Sequence, residues 1–387
     1  MVVGAYYPEL AGGSLQCRTL VRALRDRVGC SILTTTADRA LPRLSEVDGI
    51  PVHRVFVDVR TPSTKVLGAV KMLTLAPALA AHHDIFHFHG FTEKMLLLLA
   101  VAKLSGRRTI EKMTSLGWDD PIGLRARPLG RVLATAQGRV DRVVAISPAI
   151  RARCLEAGFP ASRIADIPNG VDTARFAPAE GDGQAAARQR LGLPAGSTIV
   201  TFVGFWSAEK GAALLFDAWR EARRRTAADM TLLFIGASSG DHAEVEAGRV
   251  AAARETIARE GLGDRVRFIE PTPEVPSYLQ ASDIFALPSS REGMPNALLE
   301  AMASGLASIA VAIPGVTDVL IDSGVNGWLI PDGNVAALAD TLAMLVERPD
   351  VRQRAGAAAR DTVCRRFAID AVADRYVALY HDLMNQA

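Results

Sequence analysis

The sequence predicts an α/β protein made of two doubly wound domains in series, each a parallel sheet covered by helices on both faces. Three observations predict it. The chain has 387 residues, enough for about two domains at roughly 100–200 residues each. Short β-branched or apolar runs alternate with longer amphipathic stretches, and the second half repeats the scheme of the first. The charge is also divided. Residues 1–170 hold 23 basic and 14 acidic residues, net +9, and residues 171–387 hold 21 and 28, net −7, within a chain of +2. A basic half joined to an acidic half points to two domains with different partners.

The elements follow in order. In the first half, strands are expected at 2–5, 31–35, 52–57, 84–89, 109–114, 143–146 and 163–167, with helices at 13–27, 92–104 and 148–157 among those between them. In the second half, strands are expected at 198–204, 230–235, 266–269, 284–287, 308–311 and 328–330, with helices at 212–225, 243–260, 296–304, 335–346 and 369–384. Pro168-Asn169-Gly170 is a strong turn signal. It places a first domain at 1–170, a linker at 171–195 and a second domain at 196–387, with the last helix, about 369–385, packing back on the first. The first strand is short at its start, which fits either a beginning upstream of Met1 or a short edge strand. Ligands of open parallel sheets bind beyond the carboxyl ends of the strands. Two such sheets would make the space between them the natural site.

Composition narrows the function. Hydrophobic residues make up 49% and charged residues 22%, which excludes disordered and low-complexity architectures. A nearly balanced charge argues against a dedicated nucleic-acid binder. Cys17, Cys30, Cys154 and Cys364 are far apart with no zinc spacing, as for buried thiols in a reducing compartment. The first residues show no signal-peptide pattern. A cytoplasmic protein is expected, with the inner face of the membrane as an alternative location, because the basic half suits anionic headgroups or a phosphorylated acceptor. Residues 60–81 mix Arg60, Lys65 and Lys71 with Val66, Leu67, Val70, Leu73 and Leu75. That is either an interfacial helix or a core-facing amphipathic one.

The chemistry concentrates between Pro288 and Gly305. A buried strand runs into a loop holding Gly293 and Pro295, and a helix opens near Asn296. A helix N-terminus suits a phosphate anion. Glu292 lies before that helix and Glu300 within it. A carboxylate beside a phosphate site accepts hydrogen bonds from neutral hydroxyls, such as those of a sugar or ribose. Taken alone, Glu292 also reads as a capping charge and Glu300 as a surface acid.

The spacing from Glu292 to Glu300, followed by Ala301-Met302-Ala303-Ser304-Gly305, resembles the signature of glycosyltransferase family 4. Other segments resemble that family in the expected order. They are Tyr6-Tyr7-Pro8-Glu9-Leu10-Ala11-Gly12-Gly13, Ala145-Ile146-Ser147-Pro148, Ile167-Pro168-Asn169-Gly170-Val171-Asp172, Val203-Gly204 through Glu209-Lys210-Gly211, Asp283 through Ser289, and Asn326-Gly327-Trp328-Leu329-Ile330. No one of them is specific; their joint order is.

The resemblance implies a GT-B fold and a retaining enzyme that uses a nucleoside-diphosphate-sugar donor. It implies no cofactor and no divalent metal. Lys210 would neutralise the diphosphate, Glu292 would hold donor-sugar hydroxyls, and Glu300 would hold the ribose. Gly12 and Gly13 would let a loop approach the diphosphate. Gly293, Met294, Pro295 and Asn296 would cradle the distal phosphate. Lys210 and Glu292 are the catalytic candidates. No nucleophile is required, since the leaving phosphate takes the acceptor's proton. A sugar or lipid-linked acceptor in polysaccharide or glycolipid assembly is the family-level expectation.

Three departures stand out. Phe205 occupies a place where relatives commonly carry arginine, with Arg291 or Lys112 as the candidate substitute. No histidine follows the strand at 109–114, where Glu111-Lys112-Met113 stands. Glu270 replaces a common glycine near the nucleobase pocket. On the acceptor side the candidates are His89, at a strand's carboxyl end, Lys112, and Asp119 in Asp119-Asp120-Pro121, which reads equally as a solvated turn. His87 and His89 share a strand face, but a metal site lacks a third ligand. The glycine patterns of a Rossmann oxidoreductase and of a P-loop enzyme are both absent. A sugar-nucleotide epimerase of similar build, and a degenerate glycosyltransferase acting as an assembly partner, remain the rival readings.

Overall fold

The computed structural model describes residues 1–9, 12–58, 60–239 and 245–385. The chain divides into two compact units, Met1–Gly170 with Ile369–Ala387, and Val171–Ala368.

The first unit runs β1 (Val2–Val3), α1 (Gly12–Leu24), β2 (Ile32–Thr36), β3 (Leu44–Val47), β4 (Ile50–Phe56), α2 (Pro62–His82), β5 (Ile85–His89), α3 (Glu93–Leu104), β6 (Arg108–Lys112), α4 (Pro121–Arg125), α5 (Gly130–Gln137), β7 (Arg142–Ala145), α6 (Pro148–Glu156) and β8 (Ile164–Asp166). Its sheet has the order β3-β4-β2-β1-β5-β6-β7-β8. All pairs are parallel except β3 with β4. Two corrections follow. β1 is an interior strand, pairing Val2 with both Leu33 and Phe88, so the edge-strand reading fails. The edge is β3, an antiparallel strand that the sequence reading lacks, with only two apolar residues and none fully buried. Helix starts obey local chemistry. Ser147 accepts a hydrogen bond from the Ile150 N–H ahead of Pro148, and Asp120 accepts from Ile122 and Gly123 ahead of Pro121.

The second unit runs α7 (Gly183–Arg190), β9 (Thr198–Val203), α8 (Ala212–Arg225), β10 (Met230–Ile235), α9 (Ala247–Arg259), β11 (Val266–Ile269), α10 (Val275–Ala281), β12 (Ile284–Leu287), α11 (Asn296–Ala303), β13 (Ala307–Val311), β14 (Trp328–Ile330), α12 (Val335–Glu347) and α13 (Pro349–Arg366). Its six strands are all parallel, in the order β11-β10-β9-β12-β13-β14. β10 and β12 are buried at every residue, as expected of strands covered on both faces. Ala243, where the helix ending near 260 was expected to begin, lies outside the described residues; the described helix is α9.

The segment 171–195 is not a free linker. It belongs to the second unit, and its helix α7 is held by the buried Arg188. That guanidinium donates to the carbonyls of Ala281 (2.9 Å) and Ala195 (2.8 Å) and to Asp283 Oδ2 (2.6 Å). The linker reading failed because the Pro, Gly and acidic residues at 177–183 only precede a docked helix.

The last helix, α14 (Ile369–Asn385), returns to the first unit and packs on α1. It buries Tyr376, Tyr380 and Leu383. By the right-handed crossover rule, α2, α3 and α5 cover the opposite face of that sheet from α1, and neighbouring members of that layer touch.

Candidate active site

In the second unit the strand order reverses between β9 and β12. From β9 the chain steps outward to β10 and β11, and from β12 it steps the other way to β13 and β14. That is the switch point, where loops after adjacent strands splay apart and leave a crevice. The loop after β9 carries Lys210 and the loop after β12 carries Glu292. Lys210 Nζ donates to Glu292 Oε1 at 2.8 Å, and both side chains are largely shielded.

A second pair lies beside the first. Arg291 Nε donates to Glu209 Oε2 at 3.0 Å. Consecutive residues on one loop thus pair with consecutive residues on the other, acid with base and base with acid. The backbone is tied as well. The Glu209 carbonyl accepts from the Ser290 N–H (2.9 Å) and from the Ser289 hydroxyl (3.1 Å). Gly211 has φ +71°, a conformation costly for any residue with a Cβ. A Cβ there would lie 2.2 Å from the Pro288 carbonyl oxygen. Glycine at 211 is therefore what lets the two loops close on each other.

α11 opens at Asn296 behind Pro295, without a capping side chain. Gly293, Met294 and Pro295 are buried beneath this turn. Glu300 follows one turn later. Burial pushes its carboxyl up to about 7, with Arg175 pulling the other way. Glu292 and Glu300 thus flank the start of one helix, and Lys210 reaches the first of them.

The loop where relatives carry arginine is organised differently here. Trp206 is buried against Phe234 and Phe268, with ring centroids 4.4 and 5.2 Å away. The backbone N–H of Trp206 donates to the Ala237 carbonyl at 3.1 Å. Phe205 is half-buried ahead of this aromatic anchor. Arg291, one candidate substitute, is engaged by Glu209. Glu270 accepts from the Ser238 hydroxyl at 2.9 Å, joining the ends of β11 and β10.

In the first unit, Gly12 and Gly13 open α1, so they are not an ordinary turn. A Cβ on either would meet no protein atom within 4 Å. Leu10 and Ala11, of the same motif, lie outside the described residues. The three acceptor-side candidates are interior residues. His89 is 7%, Lys112 1% and Asp119 1% exposed. His89 and Lys112 are register partners, hence on one sheet face. Lys112 Nζ contacts Gln16 Oε1 of α1, and burial pulls the amine down to about 7. His87 bonds through Nδ1 to the Tyr380 hydroxyl of α14 at 2.8 Å, and burial holds both histidines neutral. Asp119 accepts from the Thr114 N–H (2.8 Å) and hydroxyl (2.6 Å) and from the Ser115 N–H (2.8 Å). It ties its own loop. The solvated-turn reading of Asp119 gives way to a buried residue that ties its own loop, and Lys112 is covered by Gln16 of α1. Among the described residues no group of three or more His, Cys, Asp or Glu side chains is gathered for a metal.

Glu209, Trp206 and Ser289 show in the sequence only as parts of the motifs quoted above, and Arg188, outside any motif, acts through contacts distant in sequence.

Two family models match the chain: glycosyl transferases group 1 over residues 183–362, and Glycosyltransferase Family 4 over residues 11–175. A D-inositol 3-phosphate glycosyltransferase of Salinispora arenicola is 30% identical over 317 residues, which are 78% of this chain and 69% of that protein. Its counterpart from Salinispora tropica is 32% identical over 292 residues, 71% of this chain. That match spans 59% of the Salinispora tropica protein's length. Among solved structures, the sucrose-phosphate synthase of Thermosynechococcus elongatus superposes with a TM-score of 0.81 at 22% identity, covering 100% of this chain and 99% of that one. HepE of Anabaena, in complex with UDP and glucose, gives 0.78 at 20% identity, covering 98% and 99%. These two share the GT-B fold with this chain.

Proposed function

The chain belongs to glycosyltransferase family 4, and from that footing we propose that it moves a sugar from a nucleoside diphosphate to an acceptor hydroxyl, retaining the anomeric configuration. One observation carries the reading: the Lys210–Glu292 pair sits at the carboxyl ends of β9 and β12, beside the start of α11. In the free protein each side chain satisfies the other. A diphosphate gives Lys210 a more strongly charged partner, and releases Glu292 to accept hydrogen bonds from sugar hydroxyls. Glu300 is the ribose acceptor, and its shielded carboxyl gains two hydroxyl donors on binding. In the reaction the bond from the anomeric carbon to the β-phosphate oxygen breaks. The acceptor oxygen bonds to that carbon on the same face, and its proton passes to the leaving diphosphate. Negative charge grows on the diphosphate, so fixed positive groups aimed at it supply the largest catalytic contribution.

The donor to try first is UDP-glucose, because HepE structures hold UDP-glucose, and UDP with glucose. D-inositol 3-phosphate is the first acceptor to try, from the names of the curated relatives; lipid-linked sugars follow. The test is sugar transfer from a panel of radiolabelled nucleotide sugars by wild type and Lys210→Ala. Wild type is expected to transfer from at least one donor, and the variant to lose roughly 10²–10³-fold in kcat. Turnover by Lys210→Ala at the wild-type rate would remove the diphosphate role. Interconversion of the donor sugar with no acceptor present would favour the epimerase reading. No turnover of any donor would favour the assembly-partner reading.

A further inference from the structure

The outer face of α2 is apolar and open. Val66 is 68%, Leu67 54%, Val70 52% and Leu73 41% exposed. Val66, Val70, Leu73, Pro77 and Ala81 recur at helical spacing and form one outward stripe without a charge. The inner stripe is Gly68, Met72, Ala76 and Ala80, all buried. A Cβ at 68 would lie 2.5 Å from Val57 Cγ2, so the helix is pressed against its own unit. α2 is long and apolar enough to cross a membrane by length and composition alone. Its buried inner stripe and its place in the crossover from β4 to β5 hold it on the surface of the unit instead.

The same helix layer adds a second feature. A groove of about 520 Å³ lies between α3 and α5, lined by Leu96, Leu99 and Val132 together with Lys103, Arg131 and Arg139. Lys103 is paired with Asp141 at 2.6 Å. Among the described residues Lys65, Lys71, Arg131 and Arg139 are held in no ion pair. An uncharged apolar stripe beside uncommitted cations, on the half of the chain with net +9, is complementary to one kind of surface. Such a surface is apolar within and anionic at its face.

We propose that the α2–α3–α5 face of the first unit docks on an anionic lipid bilayer. The α2 stripe enters the headgroup boundary, and Lys65, Lys71, Arg131 and Arg139 meet lipid phosphates. The proposal stands apart from the reaction proposed above, because none of these residues belongs to the donor site.

The test is co-sedimentation of the full chain with vesicles of phosphatidylcholine alone and of phosphatidylcholine with an equal share of phosphatidylglycerol. Wild type is expected to pellet with the anionic vesicles only, and less so as salt rises. Lys71→Ser with Arg131→Ser and Arg139→Ser should weaken binding on the order of 100-fold. Val70→Glu with Leu73→Glu should weaken it at least roughly 10-fold, with an unchanged melting temperature because both sites are exposed. If that pair melts early, Leu67→Ser with Val70→Ser serves in its place. Equal pelleting with neutral and anionic vesicles, or no pelleting with either, would overturn the proposal. So would a wild-type dimer that the glutamate pair converts to monomer without changing vesicle binding, since the stripe would then be covered by a second copy.

Discussion

Glycine at position 13 has no explanation in the protein's own packing. It lies in the first turn of α1, a Cβ would touch nothing within 4 Å, and its φ is not left-handed. Alanine there is expected to stabilise the fold by about 0.5–1 kcal/mol, seen as a higher melting temperature. The family resemblance implies a donor-binding role for Gly13, so alanine is also expected to lower kcat/KM for the nucleotide sugar. A stabler Gly13→Ala enzyme with unchanged kinetics would leave Gly13 an ordinary helix residue. Glu300 makes a pH-dependent prediction. Its folded carboxyl titrates near 7, above the unfolded value of about 4.3. Between these values the folded state holds more protons, so its contribution to stability is full below pH ~4 and declines up to pH ~7. Glu300→Gln should flatten that decline in melts taken across the range, while weakening nucleotide binding. A pH profile identical to wild type would mean that Glu300 titrates normally. At this scale the placement of Glu292 and Glu300 around the start of α11 was legible, because they lie eight positions apart on one loop and helix. The burial of His89, Lys112 and Asp119 was not legible: a strand's end shows in the sequence, but the side chain that meets Lys112, Gln16 of α1, lies 96 residues earlier.

Elements whose ends are marked by local turns were read closely. β10, β11, β12 and β14 fall where expected, as does α8, because each is a short apolar run or an amphipathic stretch bounded by polar or glycine residues. β3 escaped, since Leu44-Ser45-Glu46-Val47 has neither a full apolar alternation nor burial on either face. α7 escaped because its anchor, Arg188, works mainly through polar contacts with Ala281 and Asp283, more than 90 residues further along. The relation between elements that matters most is the closure of the β9 and β12 loops through Gly211. Gly211→Ala should cost about 1–2 kcal/mol for the left-handed backbone alone. It should also lower kcat by spreading Lys210 from Glu292. Denaturant unfolding and steady-state kinetics on the same preparation would check both effects. Lost stability with full activity would show that the loops do not need this close approach.

Across the whole molecule, the two sheets and the uneven charge were readable from composition and alternation. The division of labour is now more specific. The acidic second unit holds the donor-side lysine, glutamates and helix start, while the basic first unit contributes the glycine-led α1 and an exposed apolar layer. The proposed catalysis and the proposed surface attachment thus rest on different residues, and each can be removed alone. The central claim is that Lys210 and the α11 turn grip a nucleoside diphosphate. Calorimetric titration of wild type and Lys210→Ala with UDP, GDP and ADP addresses it without knowledge of sugar or acceptor. One nucleotide is expected to bind wild type, and Lys210→Ala to bind it at least about 10-fold more weakly, as for loss of one charged hydrogen bond. Equal affinity of the two proteins for that nucleotide, or no affinity of wild type for any of the three, would contradict it.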